Sequence, residues 1–294
     1  MQNGYSLRNV GRDTATLTDE EIRYIETKIV EAVRPQLIGR RIMPVTTLPH
    51  AGFTSMRGYK ATDMSPANLS LYGTGKNIDS VKLTAFDIPV PVISKDFQIM
   101  WRDLIASRGG GLPIDTINIQ NAARQVAEEE DACILVGETT LYKRLGLEGL
   151  ATATGRNESN GGDWSAGPEA EIAAAIQLLV ADGHAGPYAT ILPPVLWGEL
   201  YALISNTAVT HMEVVQKMCS KGVFVSTQLT AADDAADSVL VIDASAGNFE
   251  LVIGKDIDTF LQQDKDMNID GKVYEVAAPR ILQPTAICEI NTLT

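Results

Sequence analysis

The sequence is poor in the residues that carry chemistry. Its 294 residues include three histidines, His50, His184 and His211, and three cysteines, Cys133, Cys219 and Cys288. The cysteines are odd in number and far apart, with no CxxC pair. That argues against a disulfide framework and a thiolate metal site. Cys133 and Cys288 stand among apolar residues and are expected to be buried thiols, which fits a reducing cytoplasm. The histidines lack HExxH or i, i+4 spacing with a second ligand, so no metal centre is expected. There is no GxSxG elbow, P-loop or Rossmann glycine pattern. No apolar run approaches the roughly 18–20 residues of a membrane span. The opening MQNGYSLRNVGRDTATL lacks the apolar stretch of a signal peptide, so neither membrane contact nor secretion is expected. Positive charge is also scarce: Lys and Arg number 24 against 37 Asp and Glu, a net charge of −13. That balance argues against a general affinity for phosphate backbones, though not against enclosing nucleic acid without gripping it.

What is present reads as a globular chain, 45% hydrophobic and 21% charged, whose second half has the alternation of an α/β or α+β domain. Residues 1–16 are polar and read as an arm. Thr18 and Glu21 form a capping-box pair, with Leu17 and Ile22 as a hydrophobic staple. Ile22, Ile25, Ile29, Val30 and Val33 then follow on one helical face, and Pro35 ends or kinks the helix. Such a helix either packs as an ordinary core element or leaves an apolar strip for a partner. Residues 46–92 are rich in Thr, Ser, Gly, Pro and Asn with short alternating runs, the pattern of an extended β excursion. Gly73-Thr74-Gly75 within it reads as a turn.

The longest helix is expected over 109–137. Gly109-Gly110-Gly111 forms a break before it, Asp115 an N-cap, and Gly137 a C-terminal stop. Ile119, Ala122, Ala123, Val126, Ala127, Cys133 and Ile134 keep helical spacing. Helices are then predicted at Pro168–Asp182, with Ile172, Ile176, Leu179 and Val180 inward, and near Val195–Ser205 and Met212–Ser220. Strands are predicted at Tyr188–Leu192, Val223–Leu229, Ser238–Ile242, Phe249–Ile253, Lys272–Ala277 and Thr285–Ile290.

Three features imitate a chemical site. Glu128-Glu129-Glu130-Asp131 point around a helix in different directions and are expected on a solvated or interface face. In DKDMNIDGKVYE, Asp266, Asn268, Asp270 and Gly271 open like a calcium loop, but Ala277 stands where the closing Glu belongs. Starting at Asp264 brings Glu275 to the close but puts Ile269 where the turn needs Gly. Asp270-Gly271 is therefore expected to be a hairpin turn. Trp101 beside Arg102 and Asp103 reads as a packed or interface residue rather than a stacking platform. No local signature supports a Cys–His nucleophile.

Several tracts together resemble the encapsulin family. LTDEEIRYIETKIVEAVRPQLIGRRI is similar to its N-terminal helix and the following corner, here Gly39-Arg40-Arg41. SKDFQIMWRDL, GLPID and ARQVAEEEDACILVG resemble the approach to the spine helix and that helix itself. GLEGL, GDW, GHAGPYATIL, TAVTHMEVVQKM, KGVFVST and AICEI follow in the expected order, across residues 17–290.

The resemblance implies a Hong Kong-type phage capsid fold. Its parts would be an N-terminal arm and helix at 1–47, an extended loop at 48–90, a peripheral domain with the spine helix at 91–144 and 263–294, and an axial domain at 145–262. It implies a shell protein rather than an enzyme, with no cofactor and with copies of itself as the main partner. The extended loop would lie over neighbours. A cargo enzyme would bind inside through a short peptide, in a groove formed by Ile22, Ile25 and Ile29 with Arg40 or Arg41 at its rim. Asn206, Thr207 and His211 would approach a five-fold pore, where His211 is either a pH-sensitive lining residue or a surface histidine. The alternative is a tailed-virus major capsid protein of the same fold, enclosing double-stranded DNA in a virion. A soluble enzyme is the third possibility and would need a convergent site that the sequence does not display.

Overall fold

The structure, a computed structural model, describes residues 17–33, 38–62, 64–72, 78–110, 116–137, 146–230 and 238–291. The expected arm at 1–16, Pro35, the Gly73-Thr74-Gly75 turn and the Asp115 cap lie outside the described residues.

Helix α1 (Asp19–Val33) begins as its capping box dictates. The Thr18 N–H donates to Glu21 Oε2 at 2.7 Å, and the Glu21 N–H donates to Thr18 Oγ1 at 3.3 Å. Ile25, Ile29 and Val33, spaced i, i+4, i+8, are its buried stripe, whereas Val30 faces outward. After the short helix α2 (Gly39–Ile42) come β1 (Val45–Thr47), β2 (Ser55–Ala61), β3 (Leu83–Pro89) and β4 (Val92–Ile99). β2 and β3 form a separate antiparallel hairpin, the β excursion anticipated from composition.

Residues 101–110 are helical, which the sequence did not announce: α3 (Trp101–Gly110) buries Leu104 and runs through Gly109 and Gly110. The glycines end this helix instead of separating strand from spine. Its Arg108 grips Glu21 with both Nε (2.9 Å) and Nη2 (2.7 Å), tying α3 to α1. The spine α4 (Ile117–Leu135) is the expected long helix, and Gly137 stops it at φ +66. Every predicted inward residue of α4 is buried, but so are Glu130 and Asp131, at 1% and 4% exposure.

The remainder comprises β5 (Asn157–Asn160), α5 (Pro168–Ala181), β6 (Tyr188–Leu192), α6 (Pro194–Trp197), α7 (His211–Met218), β7 (Gly222–Val225), β8 (Val239–Asp243), β9 (Phe249–Gln263), β10 (Ile269–Ile281) and β11 (Ile287–Asn291). The expected helix at 195–205 reduces to α6 and a 3-10 turn. Val180 is exposed on α5, not inward.

Two sheets organise the chain. A four-stranded sheet runs β1-β9-β10-β4, and a five-stranded sheet runs β5-β11-β8-β6-β7. α1, α3 and α4 cover one face of the first sheet through Ile25, Ile29, Leu104, Ile119, Val126, Phe97 and Val273. The second sheet packs against α5 and α7 around Trp164, whose Nε1–H donates to the Leu196 carbonyl at 3.1 Å. A third cluster, containing Ile134, Leu150, Ile242, Phe249 and Ile287, joins the two.

The long β9–β10 ribbon begins in the joining core and extends past it. This pairing cuts across the expected boundary at 262/263. β11, expected with residues 263–294 in the peripheral domain, is paired inside the five-stranded sheet. The ribbon's turn is at Asp264–Asn268, not Asp270-Gly271. The Asp264 carboxylate accepts the Asp266 and Asn268 N–H groups at 2.8 and 2.9 Å, and Met267 takes φ +68. Gly271 lies within β10 because Phe97 covers it: an added Cβ would come 2.1 Å from Phe97 Cζ. The ribbon carries register shifts on either side of Val276, with the extra residues on β9 opposite Glu275 and at Gly254.

Candidate assembly surfaces and the charged corner

The β2–β3 hairpin carries apolar side chains that the other described residues do not cover. The Arg57–Asp87 ion pair at 2.9 Å and the Phe86 ring against Gly58 hold its base. Beyond the base, Leu69, Leu71, Tyr72 and Ile78 are 101%, 90%, 85% and 88% exposed, with Tyr59, Met64 and Leu83 also outside. A set of this kind on one projecting arm is the mark of a surface completed by another molecule.

The Gly39-Arg40-Arg41 corner has a different character. Gly39 sits so close to the spine that a Cβ would fall 2.3 Å from Ile134 Cδ1. Asp131 draws the corner in by accepting the Ile38 N–H at 3.0 Å and the Gly39 N–H at 2.9 Å. Arg40 then divides its guanidinium among three carboxylates. Nε donates to Glu130 Oε1 at 2.9 Å, Nη1 to Asp256 Oδ1 at 2.7 Å, and Nη2 to Glu275 Oε1 in a short contact. Glu275 and Asp256 reach it because the register shift in the ribbon re-aims them. Burial pushes Asp131 up to about 7, against the two backbone N–H bonds that favour its charge. Burial and the neighbouring Glu130 push Glu275 up to about 9.

Much of the expected cargo groove is therefore filled from within. Ile25 and Ile29 are 0% and 4% exposed because α4 occupies that face of α1; Ile22 is half-buried. Arg40 is no rim residue but the centre of the buried cluster, while Arg41 is exposed and stacks over Phe224 at 4.9 Å. The four participating carboxylates escaped the sequence reading, which set Glu130 and Asp131 on a solvated or interface face. The available signal was that Asp131 falls at helical spacing between Ala127 and Ile134, both buried.

The loop before α7 is exposed at Asn206, with φ +63, and at Thr207, whose Oγ1–H donates to the Ile204 carbonyl at 2.8 Å. His211 does not join them. It is 4% exposed, and its Nδ1 lies against Glu169 Oε2 from α5, so it cannot line an opening. His184 is likewise occupied, with Nε2 3.0 Å from Thr285 Oγ1. Among the described residues, no group of three or more His, Cys, Asp or Glu is arranged to hold a metal ion, and no helix is long and apolar enough to cross a membrane. The Asp264 carboxylate serves the turn's backbone, so the calcium-loop likeness is a hairpin cap.

A β2–β3 hairpin, a spine helix over a long ribbon and a second α/β unit make up the described chain. The family model described as "Encapsulating protein for peroxidase" matches residues 7–278. The chain belongs to the encapsulin family. The type 1 encapsulin shell protein EncA of Myxococcus xanthus (strain DK1622) is 30% identical over 288 residues, covering 96% of each chain. A diheme-cytochrome–encapsulin shell fusion protein of Kuenenia stuttgartiensis is 26% identical, over 94% of this chain and 74% of its own length. Among solved structures, a virus-like particle from Pyrococcus furiosus aligns with a TM-score of 0.67 at 17% identity, over 92% of this chain and 100% of its own. The capsid of Myoviridae phage XM1 aligns at 0.65 and 13% identity, over 88% and 92%.

The encapsulin thus has the phage capsid fold inferred from its sequence tracts, and it is a shell-forming protein that assembles with copies of itself into a closed icosahedral shell. Its viral neighbours share the fold at low identity, whereas its sequence relatives are encapsulin shells.

Proposed function

We propose that this encapsulin encloses a cargo protein in the cytoplasm, captured through a short peptide, and that its own role is architectural rather than catalytic. The observation that carries the reading is the family match across residues 7–278 combined with an arm whose apolar side chains have no cover in the subunit. We assign the arm to β2–β3, a peripheral unit to α1, α3, α4, β4 and the outer ribbon, and an axial unit to the five-stranded sheet with α5 and α7. In the shell the arm lies over a neighbouring copy. The exposed Asn206 and Thr207 belong to the loop nearest a symmetry axis. The three cysteines are buried thiols, which suits a reducing compartment. The clustered ionisable groups hold elements together, in keeping with an architectural role.

Ile25 and Ile29 face the spine, so the peptide contact is reassigned to the flank of α1 that carries Ile22, Glu26 and Val30. These are spaced i, i+4, i+8, and Val30 is 46% exposed. Shells purified from the native source are imaged by electron microscopy, and their contents are identified by mass spectrometry, with absorbance and nuclease treatment as controls for nucleic acid. Closed particles carrying one co-purifying protein, lost when its terminal peptide is removed and reduced by Val30→Asp in intact shells, are expected. Particles filled with nuclease-protected DNA would favour the viral reading, and Val30→Asp shells that load normally would remove the α1 flank.

A further inference from the structure

The buried charges at the Arg40 corner do not balance. Glu130 and Glu275 are 1% and 0% exposed, and Arg40 is the cation that bonds both. Each carboxyl uses its Oε1 on Arg40. The second oxygens, Glu130 Oε2 and Glu275 Oε2, are both buried with no hydrogen-bond donor. Nε and Nη2 stand on one edge of the guanidinium, so the two carboxyl groups are held side by side. Two neighbouring buried acceptors with no donor are costly. One added proton turns one of them into a donor and satisfies both oxygens at once, as two carboxyls in one site cannot both ionise freely.

Among the described residues, the other charged groups at this point add no cation. α2 presents Arg40, with Arg41 turned outward onto Phe224. α4 presents Glu130 and Asp131, the latter engaged by the Ile38 and Gly39 N–H groups. β9 presents Asp256, 71% exposed and bonded to Arg40, and β10 presents Glu275. The nearby Lys255 is committed to Asp258 at 2.8 Å.

We propose that Glu130 and Glu275 share one proton over Arg40, and that this proton operates a latch: while it is held, the α2 corner is locked to the spine helix and the ribbon, and losing it loosens the corner and the α1 segment before it. The sign follows from the raised carboxyls. Glu275 is held near 9 in the closed corner against an ordinary 4.5, and Asp131 near 7 against 3.8. The closed corner therefore binds more protons than an open one. Closure is complete in acid and weakens as pH rises, through both groups up to about 7 and through Glu275 alone from about 7 to 9. In that upper window the closed-to-open ratio falls about tenfold per pH unit, and above it the fall stops.

The test uses assembled shells and two readouts. Infrared difference spectra taken on raising the pH through about 9 are expected to show the carbonyl band of one protonated, buried carboxyl disappear in the native protein. The band is expected to be absent from Glu275→Gln and from Glu130→Gln, since an amide in either position supplies the missing donor permanently. Hydrogen-exchange mass spectrometry, corrected for the intrinsic rate, is expected to show protection of the 38–43 amides falling about tenfold per pH unit between about 7 and 9 in the native shell and staying level in either variant. If one variant does not assemble, the other carries the comparison. A native shell with no protonated carboxyl at neutral pH overturns the proposal, as does a Gln variant that keeps the native slope.

Discussion

Replacing Leu69, Leu71 and Tyr72 together by serine isolates the arm from everything else in the subunit. All three side chains are at least 85% exposed, so the isolated fold contains almost none of their burial. Burying each against a neighbour is worth about 1.5–3 kcal/mol. Fixing each rotamer in the contact takes back about 0.5–1.5 kcal/mol. The triple variant should then weaken each arm contact by a few kcal/mol, and a loss of about 4 kcal/mol is roughly a thousandfold in the pairwise constant. Because the same contact recurs across the shell, closure should fail at concentrations where native particles are complete. Sedimentation velocity and negative-stain microscopy read the particle; circular dichroism and thermal melting read the subunit. Slowly sedimenting subunits with native spectra are expected. Shells of native size, dissociating at the native denaturant concentration, would refute the assignment of the arm to the intersubunit contact.

The remaining predictions concern the interior. Ile25→Ala should destabilise the subunit by about 2–5 kcal/mol through a cavity under α1, seen as an earlier denaturant midpoint; an unchanged midpoint would mean that α1 is not packed as described. Gly149→Ala would place a Cβ 2.5 Å from the Gly137 nitrogen, where backbone meets backbone, and should cost about 1–3 kcal/mol, whereas Gly198→Ala meets nothing within 4 Å and should leave the melting curve in place.

The readable parts of the fold were those fixed by local chemistry. The Thr18–Glu21 box, the apolar spacing of the spine and the largely apolar run at Tyr188–Leu192 each specify one conformation over a short span, and the structure has each as expected. The failures share a cause in tertiary context. α3 carries charge on most turns and ends in glycines, so its helicity comes from Leu104 in the core and Arg108 on Glu21, which no local pattern reveals. The outer half of β9 alternates weakly because much of it is solvated, so only its buried first half was legible. Asp270-Gly271 carries turn residues at a position where the chain needs room for Phe97. The site suffered most. Ile25 and Ile29 are legible as one helical face, but their spacing does not say whether that face meets the spine or a partner. The acidic run at 128–131 was set on a solvated or interface face because its counter-charge lies some ninety residues back, at Arg40.

The position of β11 also bears on when a subunit becomes competent. The strand at 287–291 lies between β5 and β8, so β5 has no pairing partner until the ribosome has translated nearly all of the sequence described here. The exposed arm, by contrast, is synthesised early. A nascent chain therefore displays its adhesive element long before the five-stranded sheet can close, and domains generally fold as units during synthesis.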